Sequence, residues 1–329
     1  MRTLSRALFA LVSGVILFPL LSAPTAQAYV KIAYATPVTM SESPGGEGQV
    51  RARLQLGTVA AGTSHNLRSE IVVGNGRNDG APSRIAVGHK ITCQAVGGTT
   101  LPNTASQHGQ VWSGQNLLEG APDVRLTVRM LFTPAVTGNY ECLLRVYLNN
   151  GLASGYETAS LRSGFVADID GPIGPAGVAQ TFGSASSQYF AVGGAGKQLL
   201  VVSAYAPLPG ATSFLATSDV YATSCYGTGG NACPDGSYPS SGTATVRYRL
   251  VATPSSTAAG CVAQATPSSL VDVDRFVHHR RISQQLTVTQ PAGGCGTWQV
   301  NAYVQSGGGN LPFVIHGNPY SVTYVRPPV

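Results

Sequence analysis

The chain has 329 residues, of which 43% are hydrophobic and only 10% are charged, with 40 glycines, 21 prolines and a formal net charge of +6. The hydrophobic fraction is high enough for a packed core, which excludes a disordered chain, and the scattered arginines lack the basic stripe of a nucleic-acid-binding protein. A surface with so few charges must consist largely of hydroxyl and amide groups, which favours a turn-rich, all-β extracellular protein over one with long exposed helices.

Residues 1–28 are predicted to be a cleavable signal peptide. Arg2 and Arg6 give a positive start, the run from Ala7 to Leu21 is largely apolar, and Ala26-Gln27-Ala28 matches the small-x-small pattern of a cleavage site. The apolar run is shorter than the ~20 residues that span a bilayer. We therefore expect a secreted product, extracellular or associated with the cell surface, without a transmembrane segment in the mature chain.

Residues 29–167 are predicted to form a first β-sandwich domain. Short β-type runs follow one another, separated by Asn-Gly and Asp-Gly turn signals. From Asp123 to Phe132 apolar and polar residues alternate, which predicts a strand with one buried face. The segment from Tyr140 to Leu148 alternates in the same way, with one face formed by Tyr140, Cys142, Leu144 and Val146.

Residues 168–180 are predicted to be a linker, because the segment from Asp168 to Gly177 is rich in Gly and Pro. After it the β-pattern resumes, so residues 181–329 are predicted to form a second β-sandwich domain. The fold class expected for the whole chain is therefore all-β, with two tandem domains.

All six cysteines lie in the mature region, which fits an oxidising compartment and three structural disulfides. Many connectivities are formally possible. Cys225 and Cys233 flank a turn-rich loop and are expected to pair locally. Cys261 and Cys295 each lie in a Gly-containing loop of the second half, which leaves Cys93 for Cys142, so that every bridge is intradomain.

The two halves share a weak sequence echo. The segments from Thr133 to Cys142 and from Gln290 to Val300 both contain Pro-Ala, then Gly-x-aromatic, and then an alternating strand. This pattern suggests an internal duplication. At the same offset the first-half cysteine pair corresponds to an apolar pair, Leu250 and Val300.

The run Gly138-Asn139-Tyr140-Glu141-Cys142, with Cys93 upstream, resembles an immunoglobulin-like β-sandwich. The resemblance implies two tandem immunoglobulin-like domains in which Tyr140 forms a tyrosine corner and Cys93–Cys142 bridges the two sheets. Trp112 is the candidate for the tryptophan that packs against this bridge. The overall composition is similar to that of secreted proteins of high-GC Gram-positive bacteria, but the likeness implies a fold and not an activity.

The densest cluster of chemically capable side chains lies between Asp272 and His279. If this segment is extended, Asp272, Asp274 and His278 share one face while His279 points away, and two carboxylates with an imidazole could hold a divalent metal or serve in acid–base chemistry. The alternative interpretation is a polar loop in which the two aspartates pair with neighbouring arginines, and this alternative is favoured.

Tyrosines surround the Cys225–Cys233 loop. Tyr221, Tyr226 and Tyr238 could form an exposed aromatic platform that stacks on sugar rings. Packing of the same rings in the core is the alternative, and it is favoured on general grounds.

No G-x-S-x-G motif occurs, and strands do not alternate with helices as in a hydrolase that presents a nucleophilic serine. We expect a secreted, non-enzymatic binding or structural/assembly protein without a cofactor. The expected partner is an extracellular protein or a cell-surface glycan, and not a nucleic acid. The alternatives are a carbohydrate-binding protein and a metal-assisted hydrolase that uses the segment from Asp272 to His279.

Overall fold

The computed structural model describes residues 28–40, 48–75, 84–118, 123–149, 159–184, 186–227, 233–234 and 236–328. The signal peptide predicted for residues 1–28 lies outside this part of the chain, apart from Ala28. Within the described ranges, the chain contains no helix that is long and apolar enough to cross a membrane.

The first half of the chain forms eight strands, and one of them is the alternating strand predicted between Asp123 and Phe132. In the strand from Val124 to Phe132, Val128, Met130 and Phe132 are fully buried while Arg125 is exposed. The strands are β1 (Tyr29–Met40), β2 (Gln49–Val59), β3 (Ser64–Asn75), β4 (Arg84–Ala95), β5 (Gln110–Leu118), β6 (Val124–Phe132), β7 (Gly138–Asn149) and β8 (Ala159–Ile173).

These strands form two four-stranded antiparallel sheets, in the orders β1-β8-β3-β6 and β2-β7-β4-β5. The first strand therefore pairs with the eighth, the second with the seventh, the third with the sixth and the fourth with the fifth. This is the strand order of a jelly-roll sandwich. Apolar residues from both sheets fill the space between them, among them Leu54, Leu67, Ile71, Ile91, Val128 and Leu144.

The second half repeats this order. Its strands are β9 (Ala179–Phe182), β10 (Gln188–Phe190), β11 (Lys197–Tyr205), β12 (Ser213–Ser224), β13 (Thr243–Pro254), β14 (Gln264–Ala265), β15 (Ser269–Asp274), β16 (His279–Thr289), β17 (Trp298–Gly309), β18 (Phe313–His316) and β19 (Val322–Arg326). One sheet contains β9-β19-β12-β16 and the other contains β11-β17-β13-β15. The additional strands β10, β14 and β18 extend these sheets.

The equal strand order of the two halves agrees with the predicted duplication. The two echoing segments lead into β7 and β17 and include their first residues, and these two strands hold equivalent places in the two halves. Leu250 and Val300 are both fully buried, but Leu250 lies opposite Ala302 and Val300 lies opposite Ala252. The apolar pair expected from the echo is therefore a diagonal neighbour pair on one sheet.

The three predicted disulfides, Cys93–Cys142, Cys225–Cys233 and Cys261–Cys295, are present. The inter-sheet position expected for Cys93–Cys142 is wrong. These cysteines lie directly opposite each other on β4 and β7 of one sheet, with their Cα atoms 4.0 Å apart. The number of residues between two cysteines does not show whether their strands lie side by side in one sheet or in two opposed sheets. In a jelly roll, strands from distant parts of the chain are also neighbours within one sheet.

The all-β sandwich class is confirmed, whereas the immunoglobulin strand order is not found. An immunoglobulin domain joins strands in the orders ABED and CFG, and neither sheet here has that order. Trp112 does not pack against the disulfide. It lies opposite Lys90 and points to the same face of the sheet as Lys90. Cys93 is three residues further along β4, so its side chain points to the other face.

The predicted linker is shorter in the structure. β8 continues to Ile173, which pairs with Ser64 at the start of β3, so only residues 174–178 connect the two sets of strands. Asp168 is buried and its Oδ2 lies 2.7 Å from Nδ1 of His65. This contact and the strand pairing hold a segment whose Gly and Pro content suggested a loop.

Tyr140 makes the hydrogen bond of a tyrosine corner, because its hydroxyl donates to the carbonyl of Val136 at 2.7 Å. We expect Tyr140→Phe to lower the free energy of unfolding by about 1 kcal/mol, the usual net contribution of one hydrogen bond, since the buried Tyr140 ring loses its hydroxyl bond to Val136. Urea denaturation followed by tryptophan fluorescence measures the change. Tyr29→Phe, at a ring that is 55% exposed, is the control, and equal stabilities of the two variants would contradict the role assigned to Tyr140.

Candidate functional site

The two sets of strands meet where the outer face of the β2-β7-β4-β5 sheet contacts β16 and residues 317–321. The amide of Trp112 on β5 donates to the carbonyl of Pro319 at 3.0 Å. Asn103 donates to the side chain of Asn318 at 2.8 Å. The amide of His279 on β16 donates to the side chain of Asn116 at 3.2 Å. Hydrogen bonds from backbone and side chains thus hold the two halves together along this junction.

A buried ionic centre lies in the junction. Asp219 on β12 is fully buried, and its Oδ2 accepts hydrogen bonds from Arg281 Nη2 at 2.8 Å and Nε at 3.2 Å. Arg129 on β6, in the other half, lies 3.7 Å from Oδ1. Burial disfavours the charged form of Asp219, but Arg281, Arg129 and side-chain hydrogen bonds outweigh it and hold the pKa below its usual value.

Arg281 connects this centre to both halves. Its Nη1 donates to the carbonyl of Trp112 at 3.1 Å and to that of Tyr320 at 3.0 Å. The guanidinium therefore satisfies acceptors on the first set of strands, on residues 317–321 and on Asp219 at once. Such a planar, multiply donating group suits a buried junction better than an ammonium would.

Histidine and aromatic rings cover the ionic centre. Tyr221 stacks on His279, with ring centroids 5.7 Å apart, and on Tyr320, with centroids 5.3 Å apart. The Thr223 hydroxyl lies 2.7 Å from His279 Nδ1 and 2.6 Å from His316 Nε2. A hydroxyl can donate to one imidazole nitrogen while it accepts from another, so it can link two neutral rings.

Both imidazoles are held neutral. Burial lowers the pKa of His316 to about 4. The pKa of His279 lies well below its usual value because of burial and the neighbouring His278 and His316. At neutral pH these side chains therefore take part in hydrogen bonds without carrying charge.

His316 also lines a surface depression of about 280 Å³ between β18, β11 and the segment that precedes β10. Gly317 permits the close approach of two backbones at its rim, because a Cβ there would lie 1.6 Å from the carbonyl oxygen of Ser184. No charged side chain is found among the described residues that line it. We call it the His316 depression, and its main lining residues are Ser184, Ser186, Gln188, Gln198, Leu200, Ile315 and His316.

The tyrosine platform predicted around the Cys225–Cys233 loop is not formed as expected. Tyr221 is only 6% exposed, because it belongs to the central strand β12 and lies within the junction. Tyr226 is half-buried, edge-on to His278. Tyr238 is half-buried and donates its hydroxyl to the carbonyl of Pro234 at 2.7 Å.

The structure does not gather the predicted metal ligands. Asp272 accepts a hydrogen bond from Thr245 at 2.7 Å, whereas Asp274 Oδ1 accepts from the amides of Phe276 and Val277. Among the described residues, no group of three or more His, Cys, Asp or Glu side chains is placed to hold a metal ion. The predicted shared face assumed an extended chain, but β15 ends at Asp274 and a turn precedes His278.

His278 and His279 instead join the ring cluster, with their centroids 4.0 Å apart. The site residues that sequence reasoning missed are His316, Gln198 and the serines before β10. No local signal marks them, because the depression brings together three segments far apart in the chain. The only hint was a single histidine directly before Gly317-Asn318-Pro319.

No family model matches the chain, and no curated protein matches it. Solved structures with some likeness include the N-terminal CBM22-1–CBM22-2 tandem domain from Paenibacillus barcinonensis Xyn10C, with 13% identity, 91% of this chain and 93% of that chain covered, and a TM-score of 0.26. Another is N-glycanase F (PNGase F), which is 11% identical; the match covers 91% of this chain and 96% of that chain, with a TM-score of 0.36. These TM-scores are too low to carry an argument about this chain.

Proposed function

We propose that this chain is a non-enzymatic extracellular binding protein whose ligand is a neutral carbohydrate held in the His316 depression. The observation that carries the proposal is the chemistry of the lining. It combines hydroxyl, amide and imidazole groups with the aliphatic side chains of Leu200 and Ile315, and it contains no charged side chain among the described residues. Sugars present the matching surface, since their hydroxyl groups need hydrogen bonds and their C–H faces need apolar contact.

The state of His316 supports the same ligand class. Burial lowers its pKa to about 4, so at neutral pH the ring exchanges hydrogen bonds with hydroxyl groups and does not attract an anion. Its Nε2 lies 2.6 Å from the Thr223 hydroxyl, which fixes the ring. A fixed, neutral group loses little conformational freedom when a ligand binds.

We further propose that the mature protein begins after residue 28 and acts outside the cell or at its surface as two sandwich domains. The strands of these domains span residues 29–173 and 179–326, rather than the 29–167 and 181–329 expected from the sequence. The partner is then a cell-surface glycan. The three disulfides support an oxidising compartment.

The proposal is tested by retention of the purified protein on chitin, cellulose and peptidoglycan, followed by calorimetric titration with soluble fragments of the retained polymer. Gln198→Ala and Gln188→Ala are expected to weaken binding at least tenfold, since each removes hydrogen bonds to the ligand. Gln285→Ala, an exposed strand glutamine outside the depression, is the matched control and should bind like the wild type.

Retention on none of the polymers would overturn the carbohydrate proposal. Binding that is equally strong in all three glutamine variants would place the ligand elsewhere on the protein. Hydrolysis of a substrate by the wild type, lost in a single-residue variant, would overturn the non-enzymatic assignment.

A further inference from the structure

A second depression, of about 270 Å³, lies on the first half, where the residues that connect the two sets of strands and the start of β9 pass over it. It is separate from the His316 depression, with which it shares no lining residue. We call it the His108 depression; its walls include Ser64, Ser106, His108, Leu131, Thr133 and Gln180. Among the described residues that line it, none carries a carboxylate, an ammonium or a guanidinium.

The walls of the His108 depression are firmly built. Ser64 and Thr133 join their hydroxyl groups at 2.8 Å. The side-chain amide of Gln180 accepts a hydrogen bond from the backbone amide of Leu131 at 2.7 Å and donates one to its carbonyl at 2.9 Å, so this residue holds β9 against β6. The site is therefore preformed by contacts between distant segments, and its shape does not depend on a ligand.

His108 is the exception among these satisfied groups. Its backbone is paired with that of Thr133, and its ring packs 5.6 Å from the ring of Phe182. The side chain is only 8% exposed, yet its buried Nδ1 has no hydrogen-bond partner among the described residues. An unsatisfied buried polar atom costs roughly 1–3 kcal/mol, so a ligand that bonds this imidazole would recover part of that cost.

We propose that the His108 depression binds one neutral, hydroxyl-bearing molecule about the size of a monosaccharide, which hydrogen-bonds the imidazole of His108. The volume lies near the lower end of small-molecule sites, and the absence of charged side chains among the described lining residues selects against ions. Because Nδ1 is buried in this structure, the proposal includes a half turn of the ring, which exchanges the positions of Nδ1 and Cδ2 without backbone movement. This site is additional to the one proposed above and does not depend on it.

The test uses the full protein labelled with ¹³C at Cε1 of histidine. The chain has six histidines, and each gives its own NMR signal. N-acetylglucosamine, glucose and glycerol are the probes, and the His108 signal is assigned with His108→Gln. We expect a saturable shift of His108 with at least one probe while His89, which is fully buried in the core, stays unchanged. The separate signal of His316 reports the other depression, so failure at one site is distinguishable from failure at the other.

The blocking variant is Ser106→Phe, which changes an exposed lining residue and fills the depression without altering the core. It should abolish the shift, whereas Val96→Phe, at an exposed residue outside the lining, should retain it. A His108 signal that does not saturate with any probe, or that shifts equally in Ser106→Phe, would overturn the proposal. If His108→Gln does not fold, the His108 signal is assigned as the one that differs between the wild type and Ser106→Phe but is the same in the wild type and Val96→Phe.

Discussion

Asp219→Asn is expected to destabilise the protein by about 3–5 kcal/mol, because it leaves the buried charges of Arg281 and Arg129 without their carboxylate. The side chain of Arg281 is only 7% exposed, and among the described residues it forms an ion pair with no carboxylate other than Asp219. Its hydrogen bonds to the carbonyls of Trp112 and Tyr320 cannot neutralise its charge. The loss should therefore be a large part of the roughly 5–15 kcal/mol by which an ordinary domain is stable.

Equilibrium unfolding in urea, followed by circular dichroism, measures this effect. Asp123→Asn is the matched control, because its ion pair with Arg162 is half-exposed and pairs of that kind contribute about 0–1 kcal/mol. The double variant Asp219→Asn/Arg281→Met should recover part of the loss, since it removes the unpaired charge together with its partner. Equal stabilities of Asp219→Asn and Asp123→Asn would refute a junction held by this centre.

Stability is expected to fall as the pH drops from about 6.5 towards 4. Burial lowers the pKa of His316 and of His108 from 6.5 to about 4 and that of His89 to about 3, where Arg281 contributes as well. The pKa of His279 is lowered in the same direction. In this window the unfolded chain binds protons that the folded chain does not, so protonation favours unfolding.

The sign and the size of this effect follow from the same shifts. The stabilising contribution is fully present above pH 6.5 and is lost as the pH falls, at roughly 1.4 kcal/mol per pKa unit and group. His316, His108 and His89, whose pKa values lie at about 4, 4 and 3, thus each contribute on the order of 2–3 kcal/mol between pH 7.5 and 4.5. Asp219 acts in a lower window, because its pKa lies below 3.8 and its stabilisation is lost only as the pH falls through that lower value.

Urea unfolding at a series of pH values tests this dependence. His316→Gln keeps a neutral hydrogen-bonding group next to Thr223, so it should unfold with a shallower pH slope than the wild type. Substitution of His65, which is paired with Asp168, is the comparison at a histidine with a carboxylate partner. A stability that is flat or rising between pH 7.5 and 4.5 would show that these histidines do not stay neutral in the folded protein.

Short sequence patterns predicted several features of the structure correctly. Alternation in the segment from Asp123 to Phe132 predicted both the strand β6 and its buried face, because side-chain direction along a strand has period two. Cysteine spacing and loop composition predicted all three disulfides. The resemblance of the Gly-x-Tyr-x-Cys run to an immunoglobulin-like domain implied a tyrosine corner, and Tyr140 makes such a hydrogen bond to Val136, four residues before it.

The composition of this chain, its alternating segments and its paired cysteines determined by themselves that it is an all-β, disulfide-bonded protein with a repeated plan. Only the tertiary structure decided which strands are neighbours, and it placed Cys93 and Cys142 in one sheet and Tyr221 in a buried junction. It also joined Asp219, Arg281 and Arg129, and it brought His316 and Gln198 to one depression. The physical reason is that alternation specifies the face to which a side chain points, whereas its partner depends on strand pairing between segments far apart in the chain.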